Sequence, residues 1–227
     1  MAFEFDHLFI CTDVDAPAAA QLLSFGLSEG SSNIHPGQGT ANRRFFFENA
    51  MLELLWVHDR AEAISAPIRR THLWERWQQR ASGACPFGIC LRASESDHLA
   101  PDTTIAFEHW AFCPPYLPKD LAIAVGTNSH INTEPLVFQT PFGKRPDAQP
   151  PEKAQPLVHP VGLKAVTKVT LMSPTAASPS DTLKAVIESG ALEVRNGSAY
   201  CVALEFDHKQ QGKQISFQPR LPLVIHY

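Results

Sequence analysis

Two segments of this 227-residue chain, one near each end, have the same order of strand-like and helix-like sequence, and this order constrains the fold most strongly. Residues 3–57 contain a strand, a helix that stops at Gly26, and two strand-like runs, NRRFFFEN and AMLELLWV. A further short strand is expected near 31–34. Residues 163–218 repeat the series, with the helix stopping at Gly190. The chain is therefore predicted to be α+β and built from repeated strand-helix-hairpin units.

The segment between these units is less regular. We divide the chain into a first unit (1–60), a helix followed by a reduced middle strand unit (61–140), a linker with six prolines (141–160) and a C-terminal unit (161–227). Together they are expected to form one compact domain. Aligning DHLFICT with TKVTLMS sets Lys168 opposite His7, so we expect these two residues at equivalent positions.

Composition excludes several classes of protein. The net charge is −4, and the basic residues are scattered, which argues against a nucleic-acid partner. No apolar run approaches the ~20 residues that cross a bilayer, so we expect no membrane insertion. The N-terminus carries acidic residues where an export signal would be basic, which predicts a cytoplasmic protein. Five scattered cysteines are expected to be thiols, and the partner is expected to be a small molecule.

The first strand and the hairpin each carry an unusual polar residue. Strand alternation predicts that Phe5, His7 and Phe9 share one face and that Asp6 lies on the other. Glu53 lies within the apolar run MLELLWV, where a carboxylate requires a cation, a basic partner, a proton or a position at the mouth of a cleft. Two explanations stay open: a shared metal ion, or a hydrogen bond between His7 and Glu53 in a metal-free pocket.

The sequence resembles a known superfamily at these positions. FDHLFI in the first strand, MLELLWV at the end of the hairpin, and HPGQGTANRRFFFENAMLELL are similar to the glyoxalase-like proteins of the vicinal oxygen chelate superfamily. The likeness is specific over residues 3–57 and architectural over 84–227. It implies paired βαβββ units that form a curved mixed sheet around a cleft. It also implies that His7 and Glu53 bind a divalent ion, which could be Zn, Fe, Mn, Ni or Co.

The rest of the chain departs from this pattern. Lys168 and Ser216 occupy the matching positions of the C-terminal unit, and neither is a usual metal ligand. In the middle unit, Gln139 matches Glu53 and is a weak ligand that also suits substrate binding. Whether the middle or the C-terminal unit completes the cleft stays open.

Three further residues are expected to contact substrate. His35 and Asn42 belong to the HPGQGTAN signature, and His35, like Glu53, is a candidate for proton transfer. Trp110 lies in the strand-like run FEHWAF and could line an apolar cleft, although core packing is the commoner role for such a residue.

The resemblance implies a metal-assisted enzyme that acts on a small oxygenated organic molecule, with a lyase, isomerase or dioxygenase as the candidate classes. The alternative is a non-catalytic protein that binds or sequesters a small molecule, as bleomycin-resistance relatives do. A structural protein is a third hypothesis. The small molecule is the expected partner, and a homodimer is compatible with all three.

Overall fold

The structure, a computed structural model, describes residues 3–94, 105, 107–141 and 144–227. Its larger sheet has eight strands in the order β2-β3-β4-β1-β5-β8-β7-β6. These strands are β1 (Phe3–Cys11), β2 (Asn33–His35), β3 (Thr40–Phe46), β4 (Met51–Val57), β5 (Phe87–Ala93), β6 (His109–Phe112), β7 (Ile123–Gly126) and β8 (Leu136–Gln139).

The order of the strands shows two similar units side by side. In the first unit β1 runs parallel to β4, in the second β5 runs parallel to β8, and β1 and β5 join the units as an antiparallel pair. The predicted α+β fold, with paired units in a curved mixed sheet, is confirmed. The middle segment of the chain is the partner of the first unit in this sheet. Residues 95–104 and 106, which include part of a predicted strand at 104–112, lie outside the described residues.

The C-terminal segment forms a second sheet of five strands in the order β10-β9-β11-β13-β12. Here β9 runs parallel to β10, and β13 lies between β11 and β12. The prediction that residues 163–218 superimpose on 3–57 is therefore wrong, because the closing strands pair differently. The last two strands of the repeat, β11 and β12, were expected to pair as a hairpin. They are separated by β13, a short final strand with the sequence LVIH that was not predicted. The elements are β9 (Val166–Ser173), β10 (Glu193–Asn196), β11 (Cys201–Phe206), β12 (Gln214–Ser216) and β13 (Leu223–His226).

Lys168 does not take an equivalent position to His7. Its Nζ lies 2.7 Å from Oε2 of Glu193, and both side chains are substantially exposed. It forms a surface ion pair on the second sheet, a type of contact that contributes little to stability.

Among the described residues, four short α-helices accompany the sheets, and their bounds are α1 (Ala19–Phe25), α2 (Arg60–Ala63), α3 (Leu73–Gln78) and α4 (Asp181–Glu188). The helix predicted at the start of the middle segment corresponds to α3. Arg76 of α3 is fully buried, and its Nη1 donates to the backbone oxygens of Cys85 and Glu134. Within the described part of the chain, no helix has both the length and the apolar character that a membrane span requires.

The larger sheet separates two apolar layers. Leu8, Ile10, Leu52 and Leu54 belong to a core shared with α1 and the second sheet. Phe9, Leu55, Phe112 and Leu136 belong to a smaller cluster on the opposite side, together with residues of the α2–α3 region. The second face is where a cavity opens.

A β-bulge changes the orientation of side chains in β1. The register with β5 shifts between Phe5 and His7, and both Asp6 and His7 line the cavity. Phe5 instead packs against the main core. The predicted alternation, with Asp6 facing away from His7, is therefore wrong, because a bulge adds one residue to one strand of the pair.

The proline-rich segment 141–160 runs along the first unit. The backbone N–H of Asp147 donates to the oxygen of Glu48 at 3.1 Å, and the Gln155 side chain accepts a hydrogen bond from the N–H of Ser31 at 3.0 Å. Two single-turn 3-10 helices, Pro146–Ala148 and Pro151–Lys153, follow each other within it. Residues 142 and 143 of the predicted linker lie outside the described residues.

Gly88 at the junction of the two units is required by the ring of Phe9. The two residues are cross-strand partners in the β1–β5 pair. A Cβ atom added at Gly88 would lie 2.0 Å from Cε1 of Phe9, so no other residue fits without movement of the ring. The Phe9 ring in turn lies 6.0 Å from the ring of Phe138.

We predict that Gly88→Ala lowers the free energy of unfolding by about 1–3 kcal/mol, because the added methyl group overpacks the junction. In the Phe9→Ala variant the added methyl group has space. Gly88→Ala should then reduce the free energy of unfolding by at least about 0.5 kcal/mol less than it does in the wild type. Urea denaturation of the wild type, both single variants and the double variant measures this coupling. Additive effects would contradict the described packing.

Candidate functional site

A cavity of about 590 Å³ opens on the face of the larger sheet that carries the smaller apolar cluster. The strands of both units line it, and the α2–α3 region and the proline-rich segment close it from the sides. Its volume falls within the range of sites that bind small organic molecules.

His7 lies at the centre of a chain of charged groups. Its Nδ1 is 2.5 Å from Oδ1 of Asp6, and Nη1 of Arg92 donates to Oδ2 of Asp6 at 3.0 Å. Arg92 is 2% exposed and also donates to Glu4 and to the backbone oxygen of Asn49. The other ring nitrogen of His7, Nε2, lies 3.8 Å from Oε2 of Glu53. The bulge therefore orients the imidazole, with one nitrogen held by Asp6 and the other directed at Glu53.

The charged groups shift each other's protonation. Burial lowers the pKa of His7, but the adjoining Cys90 and Asp6 side chains outweigh it, so this pKa is raised well above its ordinary value. Burial raises the pKa of Asp6, yet the hydrogen bond from His7 and the charge of Arg92 leave it below its ordinary value. Together these shifts favour an imidazolium at His7 and a carboxylate at Asp6.

Glu53 is oriented by the amide of Asn42. Nδ2 of Asn42 donates to Oε1 of Glu53 at 2.6 Å, and Oδ1 of Asn42 accepts from the backbone N–H of Asn33 at 2.7 Å. Both side chains are buried, and both line the cavity. Because the amide binds Oε1, Oε2 is the atom that faces His7.

His35 also lines the cavity, at the start of the HPGQGT turn. Its Nδ1 lies 2.9 Å from Oγ1 of Thr40, and its ring centroid is 5.2 Å from that of Tyr116. Burial is the main cause of the lowered pKa of His35, which favours the neutral ring. The hydroxyl of Tyr116 donates to Oε1 of Gln38 at 3.1 Å, and burial raises the pKa of this phenol.

The structure brings four of the predicted site residues together, namely His7, His35, Asn42 and Glu53. It places Gln139 and Trp110 outside the cavity lining. In β8 the alternation directs Leu136 and Phe138 into the cavity, so Gln139 faces the opposite side.

Trp110 lies on the edge strand β6 with its ring under the guanidinium of Arg70, 4.4 Å away. Its Nε1 donates to Ser129 at 3.3 Å, and the side chain packs against the smaller apolar cluster. This contact is the core packing that is common for tryptophan.

Asp6 and Arg92 are among the residues of the site that were missed from the sequence. Asp6 was assigned to the wrong face because the bulge is not visible in an alternating strand pattern. Arg92 directly follows the apolar run FGICL. A charged residue is rarely buried unless it is paired, so its position at the end of a buried strand was the available signal that Arg92 has an internal partner.

The family resemblance implies a divalent ion, and the side-chain donor atoms around the cavity show whether such an ion would fit. Ligand atoms of Asp6, His7 and Cys90 lie within 4.8 Å of one another. However, the Asp6 and His7 atoms already share a short hydrogen bond, and Arg92 holds the carboxylate of Asp6. Burial raises the pKa of the Cys90 thiol, whereas metal ligation requires the thiolate.

His7 Nε2 and Glu53 Oε2 are the remaining donors predicted for an ion, and a catalytic ion normally has at least three protein ligands. Leu136 and Phe138 line the cavity from β8, and Gly88 in β5 has no side chain to offer. The described residues therefore do not fit an ion held by protein ligands alone. Metal binding by His7 and Glu53 stays a prediction.

Comparisons with known proteins agree with the fold. The model of the glyoxalase-like domain family matches residues 5–109. A search of curated proteins found no match. A hypothetical protein from Staphylococcus aureus is 11% identical and aligns over 99% of both chains with a TM-score of 0.53. At this identity the likeness shows the fold alone.

Two other solved structures are more distant. Methylmalonyl-CoA epimerase in complex with methylmalonyl-CoA and NH4+ is 12% identical and has a TM-score of 0.39, over 64% of this chain and 99% of its own. A xylose isomerase-like TIM barrel/4-hydroxyphenylpyruvate dioxygenase fusion protein is also 12% identical and has a TM-score of 0.44, over 91% of this chain and 37% of its own. The family match over residues 5–109 and the paired units of the larger sheet together agree with a glyoxalase-like domain in this part of the chain.

Proposed function

We propose that the cavity is the active site of an enzyme that transfers a proton on a small oxygenated organic molecule, next to a carbonyl group. The observation that supports this most directly is the facing pair of His7 and Glu53. Nε2 of one and Oε2 of the other are 3.8 Å apart in a cavity large enough for a substrate. An acid and a base that face one site in different environments are a common arrangement for proton transfer.

Each residue has a defined part in this proposal. Glu53 takes a proton from the carbon beside the carbonyl, and the electrons of the broken C–H bond move to the carbonyl oxygen. The His7 imidazolium donates a hydrogen bond to that oxygen through Nε2 and so stabilises the negative charge. Asn42 holds Oε1 of Glu53, which leaves Oε2 as the proton acceptor. Return of the proton to the opposite face of the same carbon completes an epimerisation. Where that carbon bears a hydroxyl group, transfer of the hydroxyl proton to the former carbonyl oxygen and return of the carbon-bound proton to the former carbonyl carbon complete an isomerisation.

His35 supports the reaction from the turn between β2 and β3. As a neutral imidazole it can exchange a hydrogen bond or a proton with a second oxygen of the substrate. Its contact with Thr40 uses Nδ1, so Nε2 is the nitrogen available to the ligand. The ion that the family resemblance implies would, if bound, polarise the substrate oxygens, but the proposed steps rely on the side chains alone.

The second candidate is a protein that binds a small molecule without reaction. The apolar wall of the cavity favours it, since Phe9, Phe112 and Phe138 offer a surface that would bind a hydrophobic compound. Lyase and dioxygenase activities, a homodimer and residence in the cytoplasm stay predictions from the sequence.

Glu53→Gln should abolish proton exchange because it keeps the shape of the side chain and removes the base. The assay follows deuterium incorporation from D₂O into a panel of 2-oxo and 2-hydroxy carbonyl compounds by proton NMR. For any compound that the wild type exchanges, the rate should fall by about 10²- to 10⁴-fold in the variant.

Glu152→Gln is the matched control, since Glu152 is exposed on the proline-rich segment and does not line the cavity. It should exchange at the wild-type rate. Exchange that persists in Glu53→Gln would contradict the proposed base. Compounds that bind in the cavity and never exchange would favour the non-catalytic alternative.

Asp6→Asn should destabilise the protein by about 3 kcal/mol or more near neutral pH, because His7 and Arg92 lose a buried partner. The raised pKa of His7 means that the stabilisation is present below its ordinary pKa and is lost as pH rises through the raised value. The lowered pKa of Asp6 means that the stabilisation is also lost as pH falls through that value. Urea denaturation measures the free energy of unfolding of the wild type and of Asp6→Asn across pH. The difference between the two proteins should be largest between these two pKa values.

Asp181→Asn makes the same chemical change at an exposed pair, in which Asp181 lies 2.8 Å from Lys184. It should leave stability almost unchanged at every pH. A difference for Asp6→Asn that does not vary with pH would show that the site does not hold a charged His7.

A further inference from the structure

The cavity is divided by the order of strands in the larger sheet. The first unit contributes polar lining residues from β2, β3 and β4, among them His35, Asn42 and Glu53. The second unit contributes apolar residues from β6, β7 and β8, represented by Phe112, Val125 and Phe138. In the strand order these groups lie on opposite sides of the central β1–β5 pair. A ligand that fills the cavity therefore meets most of the polar lining on the side of the first unit and phenyl rings on the side of the second.

Three cations line the cavity, and they come from two parts of the chain. Arg44 belongs to β3, and Lys144 and Lys153 belong to the proline-rich segment packed along the first unit. Arg44 is fixed by hydrogen bonds from Nε and Nη2 to the backbone oxygen and hydroxyl of Ser31, at 2.7 and 2.8 Å. Within the described part of the chain this leaves Nη1 of Arg44 for a ligand.

The charge of this lining is opposite to that of the whole protein. Aside from the paired Asp6 and His7, the lining carries Arg44, Lys144 and Lys153 against one carboxylate, Glu53. The chain as a whole has a net charge of −4. A cavity that is positive within a negative protein attracts and holds an anion, because low-dielectric walls concentrate the field.

We propose that the substrate is an amphipathic organic carboxylate, with its acid group at Arg44, Lys144 and Lys153 and an aryl or alkyl body against the phenyl wall. This proposal rests on the proposed function, since it names the substrate class of the same site. It sets the carbon beside the carbonyl between the two ends of the ligand, near His7 and Glu53.

The test uses sets of three compounds that share one apolar body, for example 4-phenylbutyrate, 4-phenylbutyramide and 4-phenylbutylamine. Calorimetry measures their binding to the 227-residue chain. The carboxylate should bind about 10- to 100-fold more tightly than the amide, because charge-assisted hydrogen bonds supply this difference, and the amine should bind least. Acetate, which lacks the apolar body, should bind weakly.

A double variant, Lys144→Gln with Lys153→Gln, should reduce the affinity for the carboxylate toward that for the amide and leave the amide unaffected. The matched control, Lys164→Gln with Lys213→Gln, removes the same charge from exposed residues that do not line the cavity, and it should retain the preference. Equal binding of the three compounds, or no binding of any carboxylate in the sets, would overturn the proposal. An equal loss of affinity for the carboxylate in both double variants would also overturn the proposal.

The two proposals can fail separately. Preferred binding of the carboxylates without proton exchange in any 2-oxo acid of the same body would support the anion site and remove the proposed reaction. Exchange that is equally fast for 2-oxo acids and their amides would retain the reaction and overturn the anion site.

Discussion

The hydrogen bond between Asp6 and His7 fixes the geometry on which the rest of the site depends. It exists because a bulge in β1 directs two consecutive side chains into the cavity. Buried Arg92, on the neighbouring strand, balances the charge of Asp6, so the carboxylate can remain ionised away from water. With Nδ1 engaged by Asp6, Nε2 is the nitrogen of the His7 ring that faces Glu53, at 3.8 Å from Oε2. Local strand geometry thus determines which atom of His7 can act on a ligand.

The larger sheet is nearly symmetrical in topology and asymmetrical in chemistry. Each unit offers a first strand and a last strand to the cleft, yet the first unit provides His7 and Glu53 while the second provides a glycine and phenyl rings. The ring of Phe9 covers Gly88, and Phe138 lies edge-on to His7 with ring centroids 5.3 Å apart. These rings occupy the side from which further ligands to an ion would come. The same packing provides the apolar surface that the proposed substrate requires.

Much of the fold could be predicted from the sequence, because hydrophobic patterns and helix stops report local structure. The first unit, its helix near Gly26 and the hairpin that carries Glu53 all follow from such patterns. Strand pairing over long distances does not. The C-terminal segment has the predicted order of elements, but β13 separates β11 from β12 because pairing depends on a four-residue strand at the end of the chain.

The candidate site could be predicted in part for similar reasons. His7, His35, Asn42 and Glu53 came from a motif and line one cavity. Asp6 could not be assigned, since a bulge is a tertiary feature that leaves no trace in strand alternation. The assignment of Gln139 to the cleft failed because matching the strands of two units by their order in the chain does not determine which face of a strand lies toward the cleft. Lys144 and Lys153 lay in a segment whose composition indicated only an extended chain.

The central claim is that the side chains of this site carry out proton chemistry without a resident ion held by protein ligands. Calorimetric titration of Zn²⁺, Mn²⁺, Ni²⁺ and Co²⁺ into wild type and Glu53→Gln tests it most directly, with thermal unfolding as the control for the fold. The account predicts no tight stoichiometric binding by either protein. Tight binding of one ion per wild-type chain that is lost in Glu53→Gln would contradict it and would support a metal centre at His7 and Glu53.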